Sequence, residues 1–103
     1  MFKRISAIDA AALLSAGEAH IVDIRDEVSY QNLHVQGALN LNNTNLQTFI
    51  ESADIDKPLL VYCYHGISSQ SAAEFLNQKG FEEVYSIDGG FDACNGVLPT
   101  TRN

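Results

Sequence analysis

Basic residues are the first scarcity. Six Lys and Arg stand against thirteen Asp and Glu in 103 residues, a net charge of −7. The six are scattered, whereas nucleic acid or an anionic membrane needs a basic patch, so neither is expected as a partner. Cysteine is equally sparse: Cys63 and Cys94 are the only two, with no metal-ligand spacing and no disulfide framework. No metal and no cofactor is expected. Free thiols persist in a reducing compartment, which points to the cytoplasm. Long apolar runs are also missing. Lys3 and Arg4 ahead of Ile5–Ser6–Ala7–Ile8 suggest a signal peptide, but Asp9 interrupts the apolar region and the run is too short to span a membrane. There is no internal repeat and no low-complexity segment. What is present is 46% hydrophobic residues, enough for the core of one domain over residues 1–103, with its body at about 5–97. A compact acidic domain of this size is expected as a soluble monomer.

The chain is organised around Leu59–Leu60–Val61–Tyr62–Cys63–Tyr64–His65–Gly66–Ile67–Ser68–Ser69. The apolar first half reads as a buried strand. Ser68 or Ser69 can N-cap the helix that follows. Cys63 then stands at the carboxyl end of a strand, the edge where open α/β sheets bind ligands. A helix N-terminus and converging loop amides favour an anion there, so a thiol would ionise more easily and become a nucleophile. The plainer reading makes Cys63 a small buried hydrophobe.

Strands and helical segments alternate along the rest of the chain. Ser6 and Asp9 form a capping-box-like start for a helix with Ile8, Ala11, Ala12 and Leu14 as its stripe and Gly17 as its stop. Residues 21–24 read as a strand. Asp23 and Arg25 share a face of it, either as a structural charge pair or with Arg25 at the rim of a site, drawing in an anion. A helix over 27–34 would pack through Val28, Tyr30 and Leu33. His34 reads as a structural histidine before a turn at Gly37. A brief strand follows over 38–41, a cap cluster over 42–44, and a helix over 45–51 with Leu46, Phe49 and Ile50 inward. The helix over 69–79 packs through Ala72, Phe75 and Leu76 and ends at Gly80, with Phe81 folding back. Residues 84–87 form a strand, Asp88–Gly89–Gly90–Phe91 a sharp turn, and 92–96 a short helix. The tail from Leu98 is expected to fray. This alternation predicts an α/β fold with a mostly parallel sheet.

Four segments now carry a resemblance: Val22–Asp23–Ile24–Arg25–Asp26; His34 with Gly37–Ala38; the cysteine loop from Cys63 to Ser69; and Tyr85–Ser86–Ile87–Asp88–Gly89–Gly90–Phe91. In this order and separation the chain resembles the single-domain rhodaneses over about residues 20–93. The resemblance implies a central, mostly parallel sheet flanked by helices on both faces. It also implies a thiosulfate sulfurtransferase. Cys63 would take the outer sulfur of thiosulfate as a persulfide and pass it to cyanide or to a dithiol protein such as thioredoxin. Binding would fall to the loop amides and hydroxyls of Tyr64, His65, Gly66, Ile67, Ser68 and Ser69. His65 is either a plain loop residue or a proton-dependent charge near the rim.

Phosphatases on a related fold have a loop one residue longer that ends in arginine. Here the loop is Cys63 to Ser68 and no arginine follows in the next helix, so phosphoryl transfer is not expected. The alternatives kept are a sulfur-relay carrier and a non-catalytic binding module; the presence of Cys63 favours activity. Two departures stand out. Ile67 replaces the usual polar loop residue, and Cys94 falls where relatives carry tryptophan. Cys94 is either a packed residue or a thiol that resolves the persulfide.

Overall fold

The computed structural model describes residues 1–102. Five parallel strands form the main sheet in the order β1-β6-β5-β2-β4: β1 (Lys3–Ile5), β2 (His20–Asp23), β4 (Leu39–Asn40), β5 (Leu59–Tyr62) and β6 (Val84–Ile87). β3 (His34–Val35) and β7 (Thr100–Thr101) make a separate antiparallel pair. The helices are α1 (Ala7–Ser15), α2 (Glu27–Asn32), α3 (Leu46–Ser52), α4 (Ser68–Gln78) and α5 (Gly90–Cys94). β2 is flanked by β4 on one side and β5 on the other, so the strand order reverses there. Cys63 follows β5 directly, at the edge where such a reversal opens a crevice.

Alternation along the buried strands divides the core in two. Leu60 and Tyr62 of β5 join Ile21, Ile87, Ala7, Ala10 and Cys94 on the α1/α5 side. Leu59 and Val61 join Val22, Val84, Ala73, Leu76 and Phe81 on the α3/α4 side. All four β5 residues are fully buried, as a central parallel strand covered on both faces requires. The helices start and stop for local reasons. Ser6 Oγ accepts the Asp9 amide at 3.1 Å to cap α1, and Asp26 caps α2 through the Ser29 amide at 3.0 Å. Asn42 Oδ1 gathers the amides of Thr44 and Asn45 ahead of α3. The α/β class, the parallel sheet and its two helical layers are as expected.

Several local expectations are corrected. α1 packs through Ala7, Ala10, Ala11 and Leu14, while Ile8 is 72% exposed. Val28 on α2 is exposed, and α2 stops before Leu33 because His34 turns extended to pair with Thr101. Phe75 is half-exposed along an apolar groove of about 210 Å³ between α4 and the start of α3. Leu76 is buried as expected, and Ala73 joins it on the buried face of α4 in place of Phe75. The polar Lys3–Arg4 pair lies in β1, which adds to the edge of the sheet beside β6. α5 begins at Gly90, two residues earlier than the turn reading placed it. The described part of the tail does not fray: Leu98 is buried in the core, and β7 ties Thr100 and Thr101 to β3, while Asn103 lies outside the described residues. Among the described residues no helix is long and apolar enough to cross a membrane.

Candidate active site

β5 delivers Cys63 to the sheet edge, and the chain then circles back over it before entering α4. The thiol sulfur lies at the centre of that circle. The Gly66 amide donates to Cys63 Sγ at 3.2 Å and the Ser69 amide at 3.3 Å. Ser69 Oγ lies 3.3 Å away; the thiol donates to it, and a thiolate would accept from it. The Ser69 amide belongs to the first turn of α4, so the helix dipole adds to its pull on negative charge. Burial by itself pushes the Cys63 thiol up. The hydroxyl and amide of Ser69 and the amides of Gly66 and His65 outweigh that, and hold it below its ordinary value.

Neither loop serine caps α4. Ile67 occupies the N-cap position, without a side-chain bond to the helix. Ser69 is fully buried beneath the turn and faces the sulfur. Gly66 takes φ +88°, a left-handed conformation that lets the circle close.

A second turn braces the first from below. Phe91 N–H donates to Cys63 O at 2.8 Å and Asp92 N–H to Tyr64 O at 3.3 Å. The two backbones approach so closely that side chains are excluded on both. A Cβ on Gly90 would lie 2.6 Å from Cys63 O, and one on Gly66 would lie 2.7 Å from Gly89 N. The Gly89–Gly90 turn therefore sets the height of the cysteine loop, which the spacing of the two segments alone did not reveal.

Above the sulfur is an open hollow of about 220 Å³, lined by Cys63, Tyr64, His65, Ile67 and Ser68. Ile67 is 76% exposed at its mouth. The exposed His65 side chain leans to Asp92, Nδ1 to Oδ2 at 2.7 Å. Tyr64 Oη meets Ser29 Oγ of α2 at 3.1 Å. The loop residues singled out in the sequence, 64–69, are thus together around Cys63, with Ser69 beneath and the others above or beside.

Arg25 is not at the rim. It is 7% exposed, and forks onto Asp23 with Nη2 to Oδ2 at 2.8 Å and Nε to Oδ2 at 3.1 Å. Its Nη2 also donates to Leu33 O, and its guanidinium lies 4.1 Å from the centre of the Phe91 ring. Asp23 lies on the Ile21 side of β2, so the pair belongs to the α1/α5 layer and supports the loop from the sheet side. The charge-pair reading of these residues is the one the structure bears out. His34 is structural too, with Nδ1 2.7 Å from Tyr30 O and its ring stacked on Tyr30. Cys94 is fully buried, and burial pushes its thiol up to about 11. It packs with Tyr62 and Ile87 and is not part of the hollow. Among the described residues no group of three His, Cys, Asp or Glu is placed to hold a metal ion.

The family model for the rhodanese-like domain matches residues 6–96. The chain belongs to the rhodanese-like domain family. Among similar proteins, the thiosulfate sulfurtransferase GlpE of Shewanella oneidensis is 54% identical over 92 residues, 89% of this chain and 91% of the relative. GlpE of Coxiella burnetii is 48% identical over 101 residues, 98% of this chain and 94% of the relative. Among solved structures, a rhodanese-like domain from Anabaena superposes with a TM-score of 0.85 at 25% identity, over 100% of this chain and 81% of that one. A thiosulfate sulfurtransferase from Pseudomonas aeruginosa gives 0.87 at 19% identity, over 100% of this chain and 20% of that one, a likeness of fold. In this rhodanese-like domain Cys63 lies within a closed circle of loop amides.

Proposed function

We propose that this rhodanese-like domain is a thiosulfate sulfurtransferase with Cys63 as its nucleophile. The Cys63 thiolate attacks the outer sulfur of thiosulfate. A new S–S bond forms to Cys63, the old S–S bond breaks, and its electron pair leaves with sulfite. The loop amides that hold the thiolate then face the anionic persulfide, and their stabilisation costs no reorganisation as charge moves outward. In the second half-reaction cyanide attacks the outer sulfur, thiocyanate departs, and the thiolate returns. A dithiol protein such as thioredoxin serves the same step: one thiol takes the sulfur, and the second displaces it as sulfide while closing a disulfide. The open hollow gives either acceptor access, and no cofactor is needed for either step.

The observation that carries this reading is the convergence of the Gly66 and Ser69 amides on Cys63 Sγ. A cysteine packed as a mere hydrophobe has no use for two amide donors at the head of an 11-residue helix. The loop contains no arginine to clamp phosphate, which favours sulfur over phosphoryl transfer. Steady-state turnover with thiosulfate and cyanide tests it. Parallel double-reciprocal lines are expected for two half-reactions, with all turnover lost in Cys63→Ser. Absent turnover in the wild type, or turnover that survives in Cys63→Ser, overturns the proposal.

A further inference from the structure

Ser86 is a buried polar side chain, 1% exposed, in the middle of a hydrophobic strand. It pairs in register with Val61 and shares the α4 face of β6 with Val84. Among the described residues its one side-chain partner is Ser69, with Oγ to Oγ at 2.7 Å. Ser69 in turn is 3.3 Å from Cys63 Sγ. Three groups, from the residue after β5, from α4 and from β6, thus form a line that ends, among the described residues, on a hydroxyl with no further side-chain hydrogen-bond partner. Each hydroxyl has one proton to give. When Cys63 is a thiolate, Ser69 must give its proton to the sulfur, and Ser86 is then the group that donates to the Ser69 oxygen. When Cys63 is a thiol, the direction reverses.

We propose that Ser86 is a positioning residue of this site: its hydroxyl holds Ser69 in the orientation that donates to Cys63, and polarises that bond toward the anionic sulfur. The proposal rests on Cys63 as the reactive thiol of the preceding reading, but it concerns the sulfur's ionisation and not the identity of donor or acceptor. Hydrogen bonds in a chain strengthen one another by about 10–30% each in condensed phase. Only part of the effect comes from this polarisation; the rest comes from the rotamer freedom Ser69 regains when Ser86 is lost. Three ionisable side chains near the loop already have partners: His65 of the loop contacts Asp92 of α5, Arg25 after β2 pairs with Asp23, and Asp88 after β6 pairs with Arg4 of β1. Ser86→Ala changes none of those pairs.

The test is the pH dependence of iodoacetamide alkylation at Cys63, read by peptide mass so that Cys94 does not contribute. It needs no turnover, so it stays informative if thiosulfate is not the donor. In Ser86→Ala the midpoint is expected to rise by about 0.1–0.7 pH unit, the cooperativity range above applied to a hydrogen bond to a charged group, with the reactivity of the fully ionised thiol within about 2-fold of the wild type. In a Ser69→Ala background, adding Ser86→Ala is expected to move the midpoint no further, because the relay is already cut. Thermal unfolding of each variant shows that it is folded at the assay temperature. An unmoved midpoint in folded Ser86→Ala overturns the proposal. So does an equal shift from Ser86→Ala with and without the Ser69 hydroxyl, which would mark a packing effect.

Discussion

Gly90→Ala isolates what the lower turn does for the upper one. The added Cβ would meet Cys63 O and the Tyr64 carbonyl carbon at 2.6 Å and His65 N at 2.7 Å. All three are backbone atoms, so no side chain can swing aside. To restore an ordinary 3.4 Å contact the loop must retreat by about 0.8 Å. Ser69 cannot follow, because Ala73 and Leu76 pin α4 in the core. A retreat of that size would stretch the 3.3 Å Ser69 amide bond to sulfur to about 4.1 Å, beyond the reach of a sulfur acceptor. A hydrogen bond to a charged group contributes about 1.5–3 kcal/mol. Losing one raises the Cys63 pKa by about 1–2 units, and a loop misplaced by ~1 Å costs about 100-fold in turnover. Gly90 also sits at φ +58°, which adds about 1–2 kcal/mol of backbone strain for alanine. Gly17→Ala separates the two effects. It has a similar φ of +71° with nothing within 4 Å of the new Cβ, so it carries the strain without the clash. The alkylation profile of Cys63, sulfur-transfer turnover and urea unfolding are measured on both variants. Gly17→Ala should lose stability alone, and Gly90→Ala should lose stability, thiolate and turnover together. A Gly90→Ala variant with the wild-type alkylation midpoint and turnover would refute the brace.

Three further outcomes follow from the same geometry. Asp23→Ala strands the buried Arg25 guanidinium and should cost about 3–5 kcal/mol, read as a lower urea midpoint; a loss under ~1 kcal/mol would mean the pair is not the internal support described. Cys63 alkylation should reach half its maximum below the ordinary thiol value of 9.0 in the folded chain and higher in urea. The folded pKa is the lower one, so the ionised thiol stabilises the fold above the unfolded value, and that contribution is lost as pH falls through the folded value; a midpoint unmoved by urea would contradict this. In Cys63→Ser, Cys94 should resist iodoacetamide near neutral pH, since it is buried and its thiol is pushed up to about 11. Rapid alkylation without unfolding would return it to consideration as a second thiol.

What was legible in the sequence is what is decided locally. The Ser6 and Asp9 cap, the run into Cys63 and the Gly80 stop each rest on a few neighbouring residues, and each sits where it was expected. Exposure of Ile8, Val28 and Phe75 was not legible, because helical spacing marks a stripe without saying where the sheet lies. β1 and β7 are short and polar, and their pairing partners β6 and β3 lie far along the chain. The site divides the same way. The loop residues are contiguous, so their gathering around the sulfur could be read. Ser86 and Gly90 act across the register of β5 with β6, and no spacing within either segment announces that contact. Arg25 was ambiguous for a related reason: alternation placed it beside Asp23, but which layer the pair enters depends on the face of β2 that α5 covers.

The central claim is that Cys63 carries sulfur. Intact-mass spectrometry before and after thiosulfate, beside a Cys63→Ser variant, tests it most directly. The account predicts that the wild type gains one sulfur atom, that cyanide removes it, and that the variant gains none. No gain on the wild type would contradict thiosulfate as the donor, and an equal gain on the variant would place the reactive thiol at Cys94.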